Sequence, residues 1–240
     1  MKTAKPLSIG LYVNDPKANI LKFVRCFREW GMNFVSIPRS ELSGLRPGDC
    51  DVLMLHGGWY GIDRQPGQNQ SDVKATPENL RMAAAVRNFT KAGGGVVGVC
   101  CGAYNVVWLG LIEAEMSRSH GVGPHSLEVV DEKHPIVKSV LVKAKSNADR
   151  RWMPVPCVRV SGPFLFPKNP KHLLLSYDWE HRLGAVLAAP YGRGRAVAIS
   201  PHPEMTENER GLEVLNEPLM PVSNLLRASL EWSAGRTVSP

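Results

Sequence analysis

The sequence predicts an α/β fold in which a parallel sheet carries helices on both faces. Short apolar runs recur along the first half of the chain, among them "LSIGLYV", "NFVSI", "DVLMLHGG" and "VVGVC". Stretches with apolar residues at helical spacing separate these runs, and strands that alternate with helices of this length form right-handed βαβ units. The chain of 240 residues is long enough for one large domain. We therefore expect a single domain over residues 1–240.

The first predicted unit is a strand, a helix and a second strand. Residues 7–13 form a buried strand, after which Asp15 and Pro16 supply a helix N-cap and a first helical position. Gly31 ends this helix, and "NFVSI" is the next strand. The apolar residues of the helix follow the spacing of one helical face: Ile20, Phe23, Val24, Phe27 and Trp30.

The second unit repeats the pattern. Residues 51–58 form a buried strand that runs into two glycines. After a polar loop, Thr76 and Pro77 begin a helix that the "GGG" at 93–95 ends. "VVGVC" is the fourth strand, and a helix from about Ala103 to Leu111 follows it.

The second half of the chain predicts a less regular arrangement. Further strands, some of them in antiparallel hairpins, are predicted for "SLEVV", "IVKSVLV", "CVRVSGPFLF", "HLLLSY", "GAVLAAPYG" and "RAVAIS". A helix from near Val222 to Trp232 closes the chain.

The net charge of +7 raises the question of an anionic or nucleic-acid partner. The basic residues are spread along the chain, and the densest groups, "KAKSNADRR" and "GRGR", lack aromatic residues placed to stack on bases. A solvated basic surface explains the charge, so we expect no nucleic-acid partner. The sequence carries no signal of an oligomeric state.

The cellular location is predicted from the apolar runs and the cysteines. The start of the chain lacks an apolar stretch of signal-peptide length, and no run approaches 18 apolar residues. The five cysteines are scattered and form no CxxC pair, which is typical of reduced thiols. We expect a cytoplasmic protein that does not contact membranes.

The stretch "GVCCGAY" at 98–104 predicts a nucleophile at a sharp turn between a strand and a helix. Such a turn needs small residues two before and two after the residue that it displays. Counting from Cys100 gives Gly98 and Gly102, whereas counting from Cys101 would place a β-branched valine in the turn. Cys100 is therefore the candidate nucleophile.

Two expectations follow from the predicted position of Cys100 at a helix N-terminus. The helix dipole and the free backbone N–H groups should lower the pKa of the Cys100 thiol. The backbone N–H of Cys101 should face a developing oxyanion. The alternative is that two small buried thiols merely pack well at a strand end.

A base and its orienting group are predicted in "ISPHPEMT" at 199–206. A thiol nucleophile needs a histidine as base and a third group that orients the histidine. In an extended segment the side chains of His202 and Glu204 lie on one face, and Pro203 biases His202 toward that conformation. His134, in "KHPIV", has no carboxylate two residues on and is a weaker candidate.

The strand "DVLMLHGG" ends in two glycines that predict part of an oxyanion hole. Gly57 and Gly58 would let the backbone approach the substrate closely and donate an N–H group. An ordinary turn from a strand into a loop explains the pair as well.

These pieces together resemble the class I glutamine amidotransferase-like superfamily. Within it the chain is most similar to the amidotransferase-like domain at the N-terminus of the larger biotin-protein ligases. The matching motifs are "HGGWYG", "GVCCGAY", "VSGPFLF" and "GRGRAVAISPHPE", in that order. The resemblance implies a flavodoxin-like three-layer α/β/α sandwich with a mostly parallel central sheet, and a triad of Cys100, His202 and Glu204.

The resemblance also indicates where a substrate pocket would lie and where the chain departs from the pattern. It implies pocket positions at Trp59, Tyr104, Gly162 and Pro163. Glutamine amidotransferases typically carry a glutamine at the position of Tyr104, so the resemblance does not fix glutamine as the substrate. A hydrophobic turn packed on the core is the alternative for "VSGPFLFP".

Three other interpretations of the motifs are weaker. The protease and chaperone-like branch of the superfamily places an acid on an early strand, where this chain has residues 11–14 without a carboxylate. An α/β-hydrolase has the order nucleophile, acid, histidine, whereas here Glu204 follows His202; Asp178 is the remaining candidate for an acid. The histidines His120, His125 and His134 follow no metal-ligand pattern, so we expect neither a metal nor a cofactor.

Two functions of different class follow. In the first, the protein is a cysteine-dependent amidase or hydrolase: Cys100 attacks an amide or related acyl carbon, His202 moves protons and Glu204 holds the imidazole. In the second, the same pocket binds a small ligand or partner without turnover.

Overall fold

The computed structural model describes residues 5–13, 20–57, 76–117, 121–141, 155–178, 182–205 and 223–238. These residues form one large sheet with helices on both faces. Two strand arrangements meet in it, a parallel half built by the first part of the chain and an antiparallel half built by the second.

The parallel half has the strand order β2-β1-β3-β4-β11. Its strands are β1 (Ser8–Val13), β2 (Asn33–Pro38), β3 (Val52–Leu55), β4 (Gly95–Val99) and β11 (Gly194–Ile199). All four pairings between neighbours are parallel, and each buried strand reads as a continuous apolar run. Because β3, β4 and β11 run the same way, their carboxyl ends meet at one edge of the sheet.

The antiparallel half continues from β11 through β10, β9, β6 and β7. Its strands are β6 (Val122–Val129), β7 (Val155–Val160), β9 (Leu173–Asp178) and β10 (Leu183–Tyr191). Two further strands, β5 (Ala114–Ser117) and β8 (Phe164–Pro167), pair with each other beside β10. The prediction of a mostly parallel sheet is thus correct only for the first half: β9, β10 and β11 follow one another through hairpins too short for parallel crossovers, and β6 pairs antiparallel with both β7 and β9.

The helices cover the sheet in two layers. They are α1 (Leu21–Glu29), α2 (Arg39–Leu42), α3 (Pro77–Lys91), α4 (Cys101–Trp108), α5 (Pro135–Leu141) and α6 (Ser223–Ser233). One apolar core joins the sheet to α1, α5 and α6, and a second joins the opposite face to α2, α3 and α4. This is the flavodoxin-like three-layer sandwich.

The helix start signal is confirmed at α3, whereas that of α1 is not tested. Thr76 caps α3, where its Oγ1 accepts a hydrogen bond from the Asn79 N–H at 3.2 Å. The predicted start of α1 at Asp15 and Pro16 lies outside the described residues. Ile20, which we expected inside the helix, is its N-cap.

Residues 136–141 of the run "IVKSVLV" form a helix, although the β-branched residues of the run predicted a strand. Pro135 occupies the first position of α5, and the Nδ1 atom of His134 accepts from the Ile136 N–H at 3.3 Å. Ile136 and Val137 are buried in the core that α5 shares with α6. Tertiary packing therefore overrides the local preference, and His134 has the role of a helix cap.

The run "CVRVSGPFLF" is two strands and not one. Ser161 has a φ of +51°, which interrupts the extended conformation between β7 and β8. A Cβ atom on Gly162 would lie 2.1 Å from the carbonyl oxygen of Ser200, so the backbone there packs directly against the segment after β11. The strand β5 and the short helix α2 were not predicted.

No helix among the described ranges is long and apolar enough to cross a membrane.

Candidate active site

The turn from β4 into α4 has the tight geometry that the sequence predicts. Cys100 has φ +53° and ψ −111° and lies directly before the first residue of α4. A Cβ atom on Gly98 would lie 2.2 Å from the carbonyl oxygen of Gly102, and one on Gly102 would lie 1.9 Å from the carbonyl oxygen of Leu55. Both positions therefore require glycine, because any side chain would overlap backbone atoms.

The side chain of Cys100 is almost entirely buried, with 5% of its surface exposed. Its backbone N–H donates to the carbonyl oxygen of Ile199 at 2.8 Å, which fixes it to the end of β11. Its thiol donates to the carbonyl oxygen of Val160 at 3.4 Å. The nucleophile candidate is thus held between the end of the parallel half and the end of β7.

The thiol pKa differs from the sequence-based expectation. The pKa of Cys100 is raised well above its usual value, first by a hydrogen bond with the Cys101 side chain and then by burial. The negative charge of Glu204 acts in the same direction, and only the backbone N–H of Cys101 favours the thiolate. In this structure Cys100 is therefore a neutral thiol near pH 7, and the N-terminus of α4 does not outweigh desolvation.

The histidine and the carboxylate of "HPE" lie together as predicted, but in a turn and not in an extended segment: the Met205 N–H donates to the His202 carbonyl oxygen at 3.3 Å. The Nδ1 atom of His202 is 2.7 Å from Oε1 of Glu204, and the two side chains are 8% and 3% exposed. A carboxylate accepts hydrogen bonds, so Nδ1 carries the proton between the two groups, and in the neutral form of the imidazole Nε2 is then the acceptor. Among the described residues, Nε2 of His202 and Oε2 of Glu204 have no hydrogen-bond partner. The imidazole thus has the orientation and tautomer of a general base.

Gly57 brings the thiol and the imidazole to one place. A Cβ atom built on Gly57 would lie 3.0 Å from Cε1 of His202, 3.1 Å from Cβ of Cys100 and 3.7 Å from Sγ of Cys100. Both side chains therefore lie against the same face of Gly57, just after the end of β3. The sulfur is turned toward Val160 and does not form a hydrogen bond with the imidazole in this conformation.

The outer edge of β7 contacts both candidate catalytic residues. The carbonyl oxygen of Val158 accepts from the His202 N–H at 2.8 Å, in an isolated antiparallel bridge. The carbonyl of Val160, two residues on, accepts from the Cys100 thiol. Alternate carbonyls of a strand point to the same edge, so one edge of β7 contacts both the nucleophile and the base.

The remaining predicted positions divide into those near the site and those outside the described residues. Gly162 packs against Ser200, and Pro163 next to it is buried. Tyr104 is half-buried in α4, one turn after Cys100. Gly58 and Trp59 lie outside the described residues, so their predicted roles stay predictions. Cys101 is half-buried at the first position of α4, where a first-turn N–H has no helical acceptor.

Three residues around the site were missed in the sequence. The Tyr177 hydroxyl lies 3.0 Å from Oγ of Ser200, and Arg159 on β7 packs against the Tyr177 ring with Cζ 5.6 Å from its centre. The signal for Arg159 was present: a charged residue in the apolar stretch "CVRV" is an exception to the strand pattern. Tyr177 and Ser200 give no such signal, because their contact depends on tertiary structure.

The described residues include no group of three His, Cys, Asp or Glu side chains that could hold a metal ion. His120 lies outside the described residues. His125 lies beside Tyr177, with ring centres 5.7 Å apart, and His134 caps α5.

Comparisons of sequence find no match: no family model fits the chain, and no curated protein matches it. Solved structures do match. PurLQS from Thermotoga maritima is similar over 95% of this chain and 99% of that chain, with a TM-score of 0.63 and 16% identity. A glutamine amidotransferase from the same organism gives a TM-score of 0.59 at 15% identity over 96% of this chain and 99% of that chain.

A glutamine amido transferase from Methylobacillus flagellatus covers 98% of this chain and 95% of its own, with a TM-score of 0.57 and 14% identity. At such identities the likeness establishes the fold and nothing finer. The protein thus has the fold of glutamine amidotransferase-like structures. None of these three neighbours is named as a biotin-protein ligase, so the closer resemblance remains a prediction.

Proposed function

We propose that this protein is a cysteine-dependent hydrolase of the glutamine amidotransferase-like type, with Cys100, His202 and Glu204 as its triad. The observation that carries the proposal is the contact of the Cys100 and His202 side chains with the same backbone position, Gly57. The 2.7 Å hydrogen bond from His202 to Glu204 supports it, because a general base in such a triad is oriented by a third group.

In the acylation step the thiol turns from Val160 toward His202. The Nε2 atom of His202 takes the thiol proton while the sulfur attacks the carbonyl carbon of an amide. Because the pKa of Cys100 is raised, proton removal accompanies the attack and does not precede it. The backbone N–H of Cys101 donates to the oxyanion, and that of Gly58 is the proposed second donor.

The intermediate then collapses to a thioester. His202 gives its proton to the leaving nitrogen, which departs as ammonia or an amine, and Glu204 keeps the imidazole oriented throughout. Water or an acceptor amine next attacks the thioester carbon, with His202 again taking the proton. The acyl group leaves as a carboxylic acid or a new amide, and the thiol is restored.

The substrate in this proposal is a small molecule with an amide or related acyl group. The motif order from "HGGWYG" to "SPHPE" favours the likeness to the N-terminal domain of biotin-protein ligases. Tyr104 stands where glutamine amidotransferases carry glutamine, so amides other than glutamine belong among the candidates. A cytoplasmic location is part of the proposal, because the scattered cysteines suit a reducing compartment.

A binding protein without turnover is the second candidate. Two observations favour it: the Cys100 thiol donates to the Val160 carbonyl and not to His202, and its pKa is raised. In that case the pocket holds a ligand and the thiol is structural.

Ammonia release from a panel of primary amides separates the two candidates. The proposal expects release by the wild-type protein from at least one amide, and its loss in Cys100→Ala and in His202→Ala. Cys50→Ala is the matched control. Cys50 is also a buried thiol, but it lies before β3, at the end of that strand opposite to Gly57. Equal release by wild-type and Cys100→Ala protein, or none from any amide, would reject the enzyme in favour of the binder.

A further inference from the structure

Cys100 and Cys101 are adjacent thiols that lie in contact. Successive side chains point to opposite faces of a strand and in different directions around a helix, so neighbouring side chains seldom meet. Cys100 follows β4 and precedes the first residue of α4, and its φ of +53° and ψ of −111° belong to neither element. In this turn a hydrogen bond joins the two thiol side chains. The structure thus holds a preformed dithiol.

The two thiols differ in their access to solvent. Cys100 is 5% exposed, whereas Cys101 is half-buried and has the more accessible side chain, and neither is in a disulfide. The raised pKa of Cys100 also keeps its thiol protonated near pH 7, and a protonated thiol is a poor nucleophile. A small oxidant from solvent therefore meets Cys101 first, with the Cys100 sulfur directly behind it.

We propose that Cys100 and Cys101 are a redox modification site, at which hydrogen peroxide links the two sulfurs in a disulfide and a thiol reductant restores them. The inference goes beyond the proposed function, because the linkage needs only the two thiols and the oxidant. Its consequence for catalysis rests on that function: a Cys100 sulfur that is bound to Cys101 cannot attack an acyl carbon.

The reaction has two steps. Cys101, once it has lost its proton, attacks one oxygen of the peroxide; the O–O bond breaks, the sulfur becomes a sulfenic acid, and the departing hydroxide takes the lost proton to form water. The Cys100 sulfur then attacks the sulfenic sulfur, so that the S–S bond forms and the S–O bond breaks. The second hydroxide leaves as water with the Cys100 proton. The two thiols thus give up two electrons and two protons, and one hydrogen peroxide is reduced to two waters.

A disulfide between these adjacent residues would be strained and easily reduced. The peptide bond between Cys100 and Cys101 is trans, and a trans peptide sets consecutive Cα atoms about 3.8 Å apart. Ordinary disulfides join Cα atoms about 4.4 to 6.8 Å apart, and departure from that geometry makes the bond more reducible. Strained disulfides are the labile and regulatory ones. The linkage should therefore form under oxidant and reverse under a modest excess of thiol.

Cys157 is the other thiol near the site and supplies the matched control. It lies on β7, is 3% exposed and packs in the same apolar core as Cys100. Burial raises the pKa of its thiol to about 12, so it too carries its proton near pH 7. Because Cys157 lacks the solvent access of Cys101, we expect it to take no part in the reaction.

The first test is oxidation of the full chain with hydrogen peroxide, followed by alkylation, trypsin digestion and mass spectrometry. No Lys or Arg lies between Lys91 and Arg118, so one peptide carries Cys100 and Cys101 and no other cysteine. The proposal expects this peptide to lose two hydrogens and to take no alkyl label until dithiothreitol is added. Cys101→Ser should abolish this species, whereas Cys157→Ala should leave its yield unchanged.

Two results of this test would overturn the site. The first is a peptide that keeps both alkyl labels after peroxide treatment, or that gains only oxygen atoms. The second is loss of the disulfide in Cys157→Ala, because the partner of the oxidised thiol would then be Cys157.

The second test measures the proximity of the two thiols without an oxidant. Phenylarsine oxide carries trivalent arsenic, which binds two thiols at once. Wild-type and Cys157→Ala protein should bind one equivalent, and Cys100→Ser and Cys101→Ser should each bind it about 100-fold more weakly, because the second bond forms within one complex. Equal affinity for all four proteins would reject the dithiol.

Ammonia release distinguishes a failure of this site from a failure of the proposed enzyme. Reversible disulfide formation in a protein that releases ammonia from no amide would leave the redox site on a binding protein. Ammonia release that peroxide lowers and dithiothreitol restores supports both proposals. Release that peroxide leaves unchanged, or lowers without recovery in dithiothreitol, would keep the enzyme and reject the redox site.

Discussion

The Cys100 thiol donates its hydrogen bond to the Val160 carbonyl at 3.4 Å, although the His202 imidazole lies against the same backbone position, Gly57. A thiol that donates to a carbonyl must carry its proton. The resting site therefore holds a neutral thiol and not the thiolate of a preformed ion pair. Removal of the thiol proton then belongs to the reaction itself.

The alkylation rate of Cys100 should rise with pH through an inflection above that of a free thiol. A raised pKa means that the thiolate is scarcer at pH 7 than in free cysteine, whose pKa is about 8.5, and becomes abundant only as the pH passes the raised value. The measurement is the rate of iodoacetamide labelling between pH 6 and pH 10. A plateau that begins below pH 7 would instead indicate a thiolate–imidazolium pair and contradict the structure.

Glu204→Gln should lower the turnover of the best amide about 100-fold or more, with little change in KM. The carboxylate holds the proton of His202 on Nδ1, whereas the introduced amide can donate to Nδ1 from its NH₂ group. That contact favours the tautomer with the proton on Nε2, and an Nε2 atom that carries a proton cannot accept the thiol proton. The measurement is kcat and KM for the same amide in both proteins.

The tautomer can be observed directly in the ¹⁵N chemical shifts of the imidazole. Glu231→Gln is the control, because Glu231 is also a buried glutamate, bonded to Arg227 at 3.0 Å on α6. Unchanged turnover and unchanged shifts in Glu204→Gln would remove Glu204 from the triad.

Much of the site could be predicted because its determinants are local in sequence. The turn at Cys100 depends on glycines two residues away on each side, and the contact of His202 with Glu204 depends on their spacing. The docking of β7 could not be predicted, because Val160 is 60 residues from Cys100 and contributes only a backbone carbonyl. The wrong direction expected for the thiol pKa has two origins: a hydrogen bond with the neighbouring Cys101 side chain comes first, and burial, which is a tertiary effect, comes second.

The secondary structure elements divide in the same way, into those set by local sequence signals and those set by tertiary packing. The first strands and helices were predicted because each strand–helix unit has its own start and stop signals, such as Thr76 at α3. The segment 135–141 was not predicted as a helix, because a short apolar run of β-branched residues is compatible with a buried strand or a buried helix. Its packing on α6, far along the chain, decides between them.

Gly102→Ala should destabilise the protein by about 3 kcal/mol or more, or prevent folding. The added methyl would lie 1.9 Å from the carbonyl oxygen of Leu55, and neither β3 nor α4 can withdraw without loss of backbone contacts. Gly44→Ala is the control, since the nearest atom to its added methyl is 3.4 Å away. Urea unfolding measures both, and equal midpoints would contradict the tight turn at Cys100.

Gly57→Ala should reduce turnover about 100-fold while the fold remains. The new methyl would lie 3.0 Å from Cε1 of His202 and 3.1 Å from Cβ of Cys100, contacts that side-chain shifts of a few tenths of an ångström can relieve. The methyl would occupy the space across which the sulfur must reach Nε2. Stability should therefore fall by only about 1 kcal/mol, in contrast to Gly102→Ala.

The measurements are kcat with the best amide of the panel and the urea midpoint, with Gly44→Ala again as the control for an added methyl. A large loss of kcat with a small loss of stability is expected only if the thiol and the imidazole meet at Gly57. Full activity in Gly57→Ala would show that they do not, since the methyl separates them. The proton would then have to leave Cys100 by another route, and His202 would lose its proposed role.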